Sequence, residues 1–536
     1  DSMELITDTV TTGEYTTPVS LGEWYWRVRA LPDGEFTPAW QLSVRPRTCW
    51  VRLNEDTTDY SSLQAALDAA QDGDVVKVAG TCWDVQTYDG LTQVGYISKT
   101  LTVRGGYTTT NWTVPDVEAN PSTLDAEGQG RVLYITGNIS PTIEGLRITG
   151  GATTSAGGGI YAMAASPIIS GNQIFGNGTS NAGGGLFLYE SEASVYDNTF
   201  NDNRASVGAG IYLYHSNSVL AENLVRDNTA TIRGGGLFIY GSSPLLVNMV
   251  IADNLIEDTD AIGAGIYISY ASPDLLHTTL ARNMGGDGSG IHVTGYESSG
   301  TYYSSTVRLT NTILLSHTVG IVVSSGNTAT LQSTLWYSNT TDWDGSGTVN
   351  HAGDYAGDPL LASDGYHLTS GSAAIDKGVD TEIVSDIDGD PRPQAAAPDL
   401  GADEYSGGGF DIVLATGWNL VSWPLAPATE NLTDTLESCT ACDQVWAYDA
   451  WDGTDPWKEW PDDLTQADET MGLWLHVSEP LTLTVFGQPP ANPSIELQAG
   501  WNLVGYPSQT ARPVTEALTS IDGSYTQVQT FDPTDP

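Results

Sequence analysis

The chain has 536 residues, room for roughly three or four domains, and 40% of them are apolar, enough for a sizeable core. Lys and Arg number 19 against 66 Asp and Glu, a formal net charge of -47; a surface this acidic repels phosphate backbones and anionic lipid, disfavours nucleic acid and membrane-surface partners, and suits divalent cations. The four cysteines fit two disulfides in an oxidising compartment, and with no run of eighteen apolar residues there is no membrane span to expect.

Residues 1–46 alternate as strands do: Glu23-Trp24-Tyr25-Trp26-Arg27-Val28-Arg29-Ala30, a turn, then Ala39-Trp40-Gln41-Leu42-Ser43-Val44. The opening Asp1-Ser2-Met3 has no basic n-region, so the sequence reads as a mature chain or a window on a longer one. Residues 47–99 read as an end cap. Leu63, Ala66, Leu67 and Ala70 share one face of a short helix with Asp59 or Ser61 as N-cap, and Asp74–Ala79 reads as the first strand. Cys49 lies just before this unit and Cys82 just after it, so a disulfide between them would staple the lid, with two separate buried thiols as the alternative.

Residues 100–349 carry a repeat. Gly157-Gly158-Gly159-Ile160-Tyr161 returns as Gly183-Gly184-Gly185-Leu186-Phe187 and Gly208-Ala209-Gly210-Ile211-Tyr212, and three more times by Ile291. The first apolar residues (160, 186, 211, 237, 266, 291) are 26, 25, 26, 29 and 25 apart. A second anchor, Asn172–Asn177, matches Asn198–Asn203 and Asn223–Asn228 at the same period. Two landmarks holding one period of short β-rich runs predict an all-β parallel β-helix, whose coils stack and bury a shared core. Glycines supply positive φ or close approach at the corner, and Asn172, Asn198, Asn223 and Asn248 are expected to stack as a hydrogen-bonded ladder. Roughly a dozen coils would make a rod of about 55 Å.

The segments Cys49–Leu53, Asp74–Cys82, Leu101–Tyr107, Asn120–Ala126 and Ile143–Gly151 resemble bacterial right-handed parallel β-helix proteins of the pectate-lyase-like superfamily. Residues 350–406, with Asp358-Pro359-Leu360, Tyr366-His367-Leu368, Ser372–Gly378 and Asp399-Leu400-Gly401-Ala402-Asp403-Glu404-Tyr405, resemble the closing segment of choice-of-anchor surface proteins. Residues 1–46 resemble the last strands of a fibronectin type III domain. The resemblance implies an exported, bacterial cell-surface protein and does not imply an enzyme. Within the closing segment, Asp386-Ile387-Asp388-Gly389-Asp390 is the candidate Ca²⁺ loop, with Asp399, Asp403 and Glu404 as further ligands. Its alternative is an acidic turn capped by Arg392.

Residues 410–490 form a small β-domain anchored by Gly417-Trp418-Asn419-Leu420-Val421, and residues 494–536 begin a second copy at Gly500-Trp501-Asn502-Leu503-Val504. The copy stops early. Either the chain belongs to a longer polypeptide or neighbouring subunits complete the half-domains in a head-to-tail filament. Cys439-Thr440-Ala441-Cys442 lacks further zinc ligands and a redox fold context, so it reads as a small disulfide. Trp418, Trp423, Trp446, Trp451, Trp457, Trp460 and Trp474 read mostly as core, with a sugar-stacking platform as the alternative. Sequons fall at Asn111, Asn138, Asn177, Asn339 and Asn431.

No catalytic set stands out: His215, His277, His292 and His317 fall at different places in their coils, and the arginines scatter. The expectation is an extracellular, non-enzymatic surface protein, its β-helix a spacer, adhesive face or assembly unit. Its partners would be copies of itself or cell-surface polysaccharide or protein. The alternative is a polysaccharide lyase or glycoside hydrolase on the same scaffold.

Overall fold

The computed structural model describes residues 48–88, 90–405 and most of 410–529, together with the backbone strands Gly22–Trp26 and Trp40–Val44. Those two strands pair antiparallel, Trp24 opposite Leu42; the rest of the fibronectin-like expectation lies outside the described residues. From Leu91 to Ala356 the chain winds as a parallel β-helix. A representative coil runs through Ile160–Met163, Ile168–Ser170, Gln173–Phe175 and Gly178–Thr179. Each strand pairs in register with its equivalent one coil on: Ile160 with Leu186, Leu186 with Ile211, Ile211 with Leu237. All four are fully buried in one core that extends from the cap to Trp336.

The corner chemistry divides the work of the glycine triplets. The first glycine has positive φ (71° at Gly157, 67° at Gly183), where a side chain would be strained. The third has no such φ, but a Cβ on Gly159 or Gly185 would lie 2.5 or 2.7 Å from the carbonyl oxygen of the next coil's glycine. Alanine stands at the middle position, at Ala209 and Ala264, although a Cβ on the middle glycines Gly184 and Gly235 would meet a carbonyl oxygen just as closely, at 2.6 and 2.4 Å.

Two asparagine ladders pin the turns. Asn172 donates to Asn198 Oδ1 (2.9 Å) and Asn198 to Asn223 Oδ1 (3.0 Å), all buried. Asn248, expected as the next rung, is not in the ladder. It sits one residue earlier, in a left-handed turn position (φ 49°) equivalent to Glu222, and donates instead to Ser385 O; Met249 takes the rung, its Sδ 3.6 Å from Asn223 Nδ2. A second ladder, longer and unforeseen, runs Asn177, Asn203, Asn228, Asn254, Asn283 at 2.9–3.1 Å and ends on His317 Nε2 at 3.2 Å. Asn177 is thereby buried and bonded, which removes it as a glycan acceptor.

The cap forms as expected in kind. Helix Leu63–Ala69 buries Leu63, Ala66 and Leu67 against the first coils, but its N-cap is Ser62, whose Oγ accepts the Ala65 N–H, and not Asp59 or Ser61. Gln64 accepts the Tyr96 N–H (2.7 Å) at the edge of the first coil, and Lys99 caps the helix by donating to Leu67, Asp68 and Ala70 carbonyls. The Cys49–Cys82 disulfide closes the unit across 33 residues. Chain-entropy arguments give such a loop about 2–4 kcal/mol. Cys49→Ser with Cys82→Ser should therefore loosen the cap by about that amount, seen as faster hydrogen exchange at residues 49–97 while the central coils keep their protection.

Residues 358–405 do not close the end of the rod; they return along its flank as a strap. Val379 exchanges hydrogen bonds with the Asn311 side chain, His277 Nε2 meets Thr381 Oγ1 (2.8 Å), and Asn248 reaches Ser385 O (2.8 Å). Leu368, Ala374, Leu400 and Ala402 cover an outer apolar strip of the β-helix formed by Val250, Ala252, Ala281, Ile313, Leu315 and Leu335. Because these residues add no coils, the rod is shorter than expected. Of eleven strands in the sheet holding Ile160, the first is antiparallel, which leaves ten parallel rungs among the described residues, about 45 Å at the usual strand spacing.

Residues 410–488 make a separate core around Trp423, Val445, Leu473 and Leu483. Gly417–Ser422, Gly472–Val477, Cys442–Tyr448 and Trp457–Trp460 form one antiparallel sheet. Cys439 and Cys442 are disulfide-bonded. The shared Gly-Trp-Asn anchor has a local purpose: Asn419 clamps Ala415 N–H and C=O, and Asn502 does the same to Gln498. The second copy adds one isolated bridge, Val504 to Met471.

Candidate functional site

Polar chemistry concentrates where the strap runs past the turns carrying Asp197 and Glu222. Asp386 starts a tight acidic turn: its Oδ1 accepts the N–H groups of Asp388 (2.9 Å) and Asp390 (2.8 Å), and its Oδ2 that of Glu404 (2.9 Å). Asp399 likewise accepts from Asp376 and Tyr405. Beneath them Arg392 and Glu404 form a buried ion pair at 2.8 Å, with Arg392 also donating to the carbonyls of Asp399, Gly401 and Ala402. The acidic turn supported by Arg392 thus describes Asp386 and Asp399 better than a ligand role does.

Asp388 and Asp403, also among the expected ligands, do converge, and they do so on a residue the sequence reading passed over as a ligand. One ligand atom each of His367, Asp388 and Asp403 lies within 4.8 Å of the others. His367 Nδ1 sits 2.8 Å from Asp364 Oδ2 and its Nε2 2.8 Å from Asp388 Oδ2; the Asp388 contact pushes the imidazole up to about 9. Asp403 is 5% exposed and accepts the Leu368 N–H at 2.6 Å. Burial raises Asp403 to about 7, and raises Asp390 and Asp197 as well, each helped by neighbouring carboxylates. Asp390 is not one of the three converging groups. No helix among the described residues is long and apolar enough to cross a membrane.

The faces of the coils are otherwise self-contained. Rings follow one another along the rod in one column from Tyr134 through Tyr161, Phe187, Tyr212, Phe238 and Tyr267 to His292, with centroids 4.5–5.8 Å apart, mostly stacked but edge-on between Tyr212 and Phe238. Beside it Tyr189, Tyr214 and Tyr240 stack nearly parallel at 5.1 and 5.3 Å, so they turn edges and hydroxyls, not faces, to solvent. Five arginines are engaged locally, Arg204 with Glu257, Arg282 with Asp253, Arg104 with Glu144, Arg131 over Tyr134 and Arg233 over Tyr267, while Arg308 is exposed on its strand. In the C-terminal sheet Trp423 is core, but Trp418 and Trp457 are exposed, and Trp418 and Trp474 share the outer face with His476.

Residues 118–248 match the family model for a right handed beta helix region. The match falls on the coils that carry both ladders and agrees with their parallel registers. No curated protein and no solved structure matches the chain. What this β-helix does must therefore be argued from its own residues.

Two of the histidines weighed as catalytic are structural: His317 ends the second ladder, and His277 joins Asn311 to Thr381 of the strap. Burial holds His317 down to about 4 and His277 to about 3. Both stay neutral in the fold, while in the unfolded chain they take a proton near pH 6.5. Depressed imidazoles contribute stability above the unfolded value that is lost as pH falls below it, over about 6.5 to 4 for His317. Asp399 and Asp403, raised to about 7, act in the opposite sense, their contribution fading as pH rises through 7. The comparison with His317→Asn isolates one group: the variant should gain on the wild type as pH drops from 6.5 to 4, by up to about 3 kcal/mol, read from paired urea denaturations.

Proposed function

We propose that this chain is an extracellular structural and binding protein whose β-helix serves as a stiff spacer and display surface. The observation that carries the reading is the continuous core from the cap to Trp336, pinned by two asparagine ladders and flanked by a strap. Such a coil stack is a rod built for rigidity. The local engagement of most of its arginines supports a non-catalytic role, since lyase chemistry on acidic glycans needs several free basic groups converging on one face. Two disulfides suit an oxidising, external setting. The acidic surface favours neutral or basic partners, protein or polysaccharide. Head-to-tail stacking of coils is disfavoured because helix Leu63–Ala69 covers the first coil; self-association would use the flanking β-domains. Immunogold labelling of intact native cells tests the placement. Label on the unbroken surface is expected, and label only after permeabilisation would refute it.

The second reading, a carbohydrate-active enzyme, draws on one feature: two carboxylates, Asp388 and Asp403, adjoin, and burial raises Asp403 to about 7, as suits a general acid. Against it stands the burial of Asp403 at 5% exposure, which leaves a sugar little access.

A further inference from the structure

We infer that His367, Asp388 and Asp403 form a binding site for a borderline divalent metal ion, of which Zn²⁺ is the representative, and that the ion ties three turns of the strap together. The three donor groups lie within 4.8 Å of one another. They come from separate stretches of the strap, so a shared ion would cross-link it.

Three further observations point to a ligand. Asp364 holds His367 Nδ1 at 2.8 Å, the carboxylate–histidine arrangement that fixes the ring and leaves Nε2 to bind metal. Asp403 is nine-tenths buried, and only one of its oxygens is hydrogen-bonded, to Leu368 N–H. A buried carboxylate needs a cation or a full set of donors. Arg392, the buried cation of the strap, is committed to Glu404, so the only nearby positive group among the described residues is His367 itself, whose Nε2 proton the ion would replace. Carboxylates are also in surplus here, since Asp388 is close enough to act electrostatically on Asp197, and Asp386 on Glu222.

The donor set decides the class of ion. Ca²⁺ takes six to eight oxygens, whereas one imidazole and two carboxylates suit zinc-like first-row ions, with solvent filling the remaining positions. The aspartate loop that suggested calcium therefore supplies one ligand, Asp388, to a different kind of site.

Isothermal titration of the chelator-treated full chain with Zn²⁺ tests this. One ion per chain is expected, unaffected by about 1 mM Ca²⁺. Asp388→Asn, at an exposed position that should leave the fold intact, and His367→Gln should each weaken binding at least about tenfold. Zinc should also slow proteolysis of residues 358–405 in the wild type and not in Asp388→Asn. Absence of a stoichiometric site would overturn the proposal. So would zinc binding that both variants retain, which would place the ion elsewhere, such as at His351–Asp354 or His476–Asp443. Calcium binding as tight as zinc would overturn the assignment of ion class.

Discussion

Replacing Asn228 by alanine is expected to destabilise the coils around it by about 3–5 kcal/mol. Its side chain, fully buried, accepts from Asn203 N–H and Asn203 Nδ2 and donates to Phe200 O, Arg226 O and Asn254 Oδ1. Alanine leaves the buried Asn203 N–H without its acceptor and removes one bond each from Asn203 Nδ2, which keeps Ile174 O, and from the Phe200 carbonyl. The loss is larger than the few bonds suggest, because an unmet buried donor forfeits its hydration as well as its partner. Hydrogen exchange across residues 170–260 measures the effect locally. Asn201→Ala supplies the control: its amide meets only Asp202 at the surface, so it should change stability by no more than about 0.5 kcal/mol.

Arg392→Ala should release the strap. It strips Glu404, 2% exposed, of its cation, and leaves the carbonyls of Asp399, Gly401 and Ala402 without that donor. Breaking one side of a buried pair costs about 3–5 kcal/mol. The coils beneath keep their own core, so the expected result is selective. Protease sites open within residues 358–405, a hydrophobic dye binds the strip around Ile313 and Leu335, and far-UV dichroism is largely retained. Arg392→Met combined with Glu404→Leu should recover part of the loss, since neither member of the pair is then left alone, while the Gln394 and Asp399 N–H groups lose their acceptor.

Much of this was legible because a solenoid repeats its reasons. The glycine anchors at a 25–26 residue step placed Ile160, Leu186, Ile211 and Leu237 in one column, and they are there. The ladder went astray by one residue at Asn248, where asparagine was counted by type and not by its place after the left-handed turn. The second ladder was already in the text of the sequence, since Asn177, Asn203 and Asn228 end each second anchor. The strap had a signal too. Coils that alternate, such as Gln173-Ile174-Phe175, give way to Val250-Ile251-Ala252 and Ile313-Leu314-Leu315, apolar on both faces because both are covered. His367 was not legible as a ligand: Asp388 and Asp403 lie 21 and 36 residues away, and only the fold of the strap unites them. The tryptophans were half legible; Leu473-Trp474-Leu475-His476-Val477 alternates, which puts Trp474 outside and not in the core.

The most direct test of a rod that displays and does not cut is incubation of the full chain, with Zn²⁺ and with Ca²⁺, against pectin, alginate, glycosaminoglycans and neutral glycans. No new unsaturated or reducing ends are expected. Ends that accumulate with time and disappear in Asp388→Asn would contradict the account.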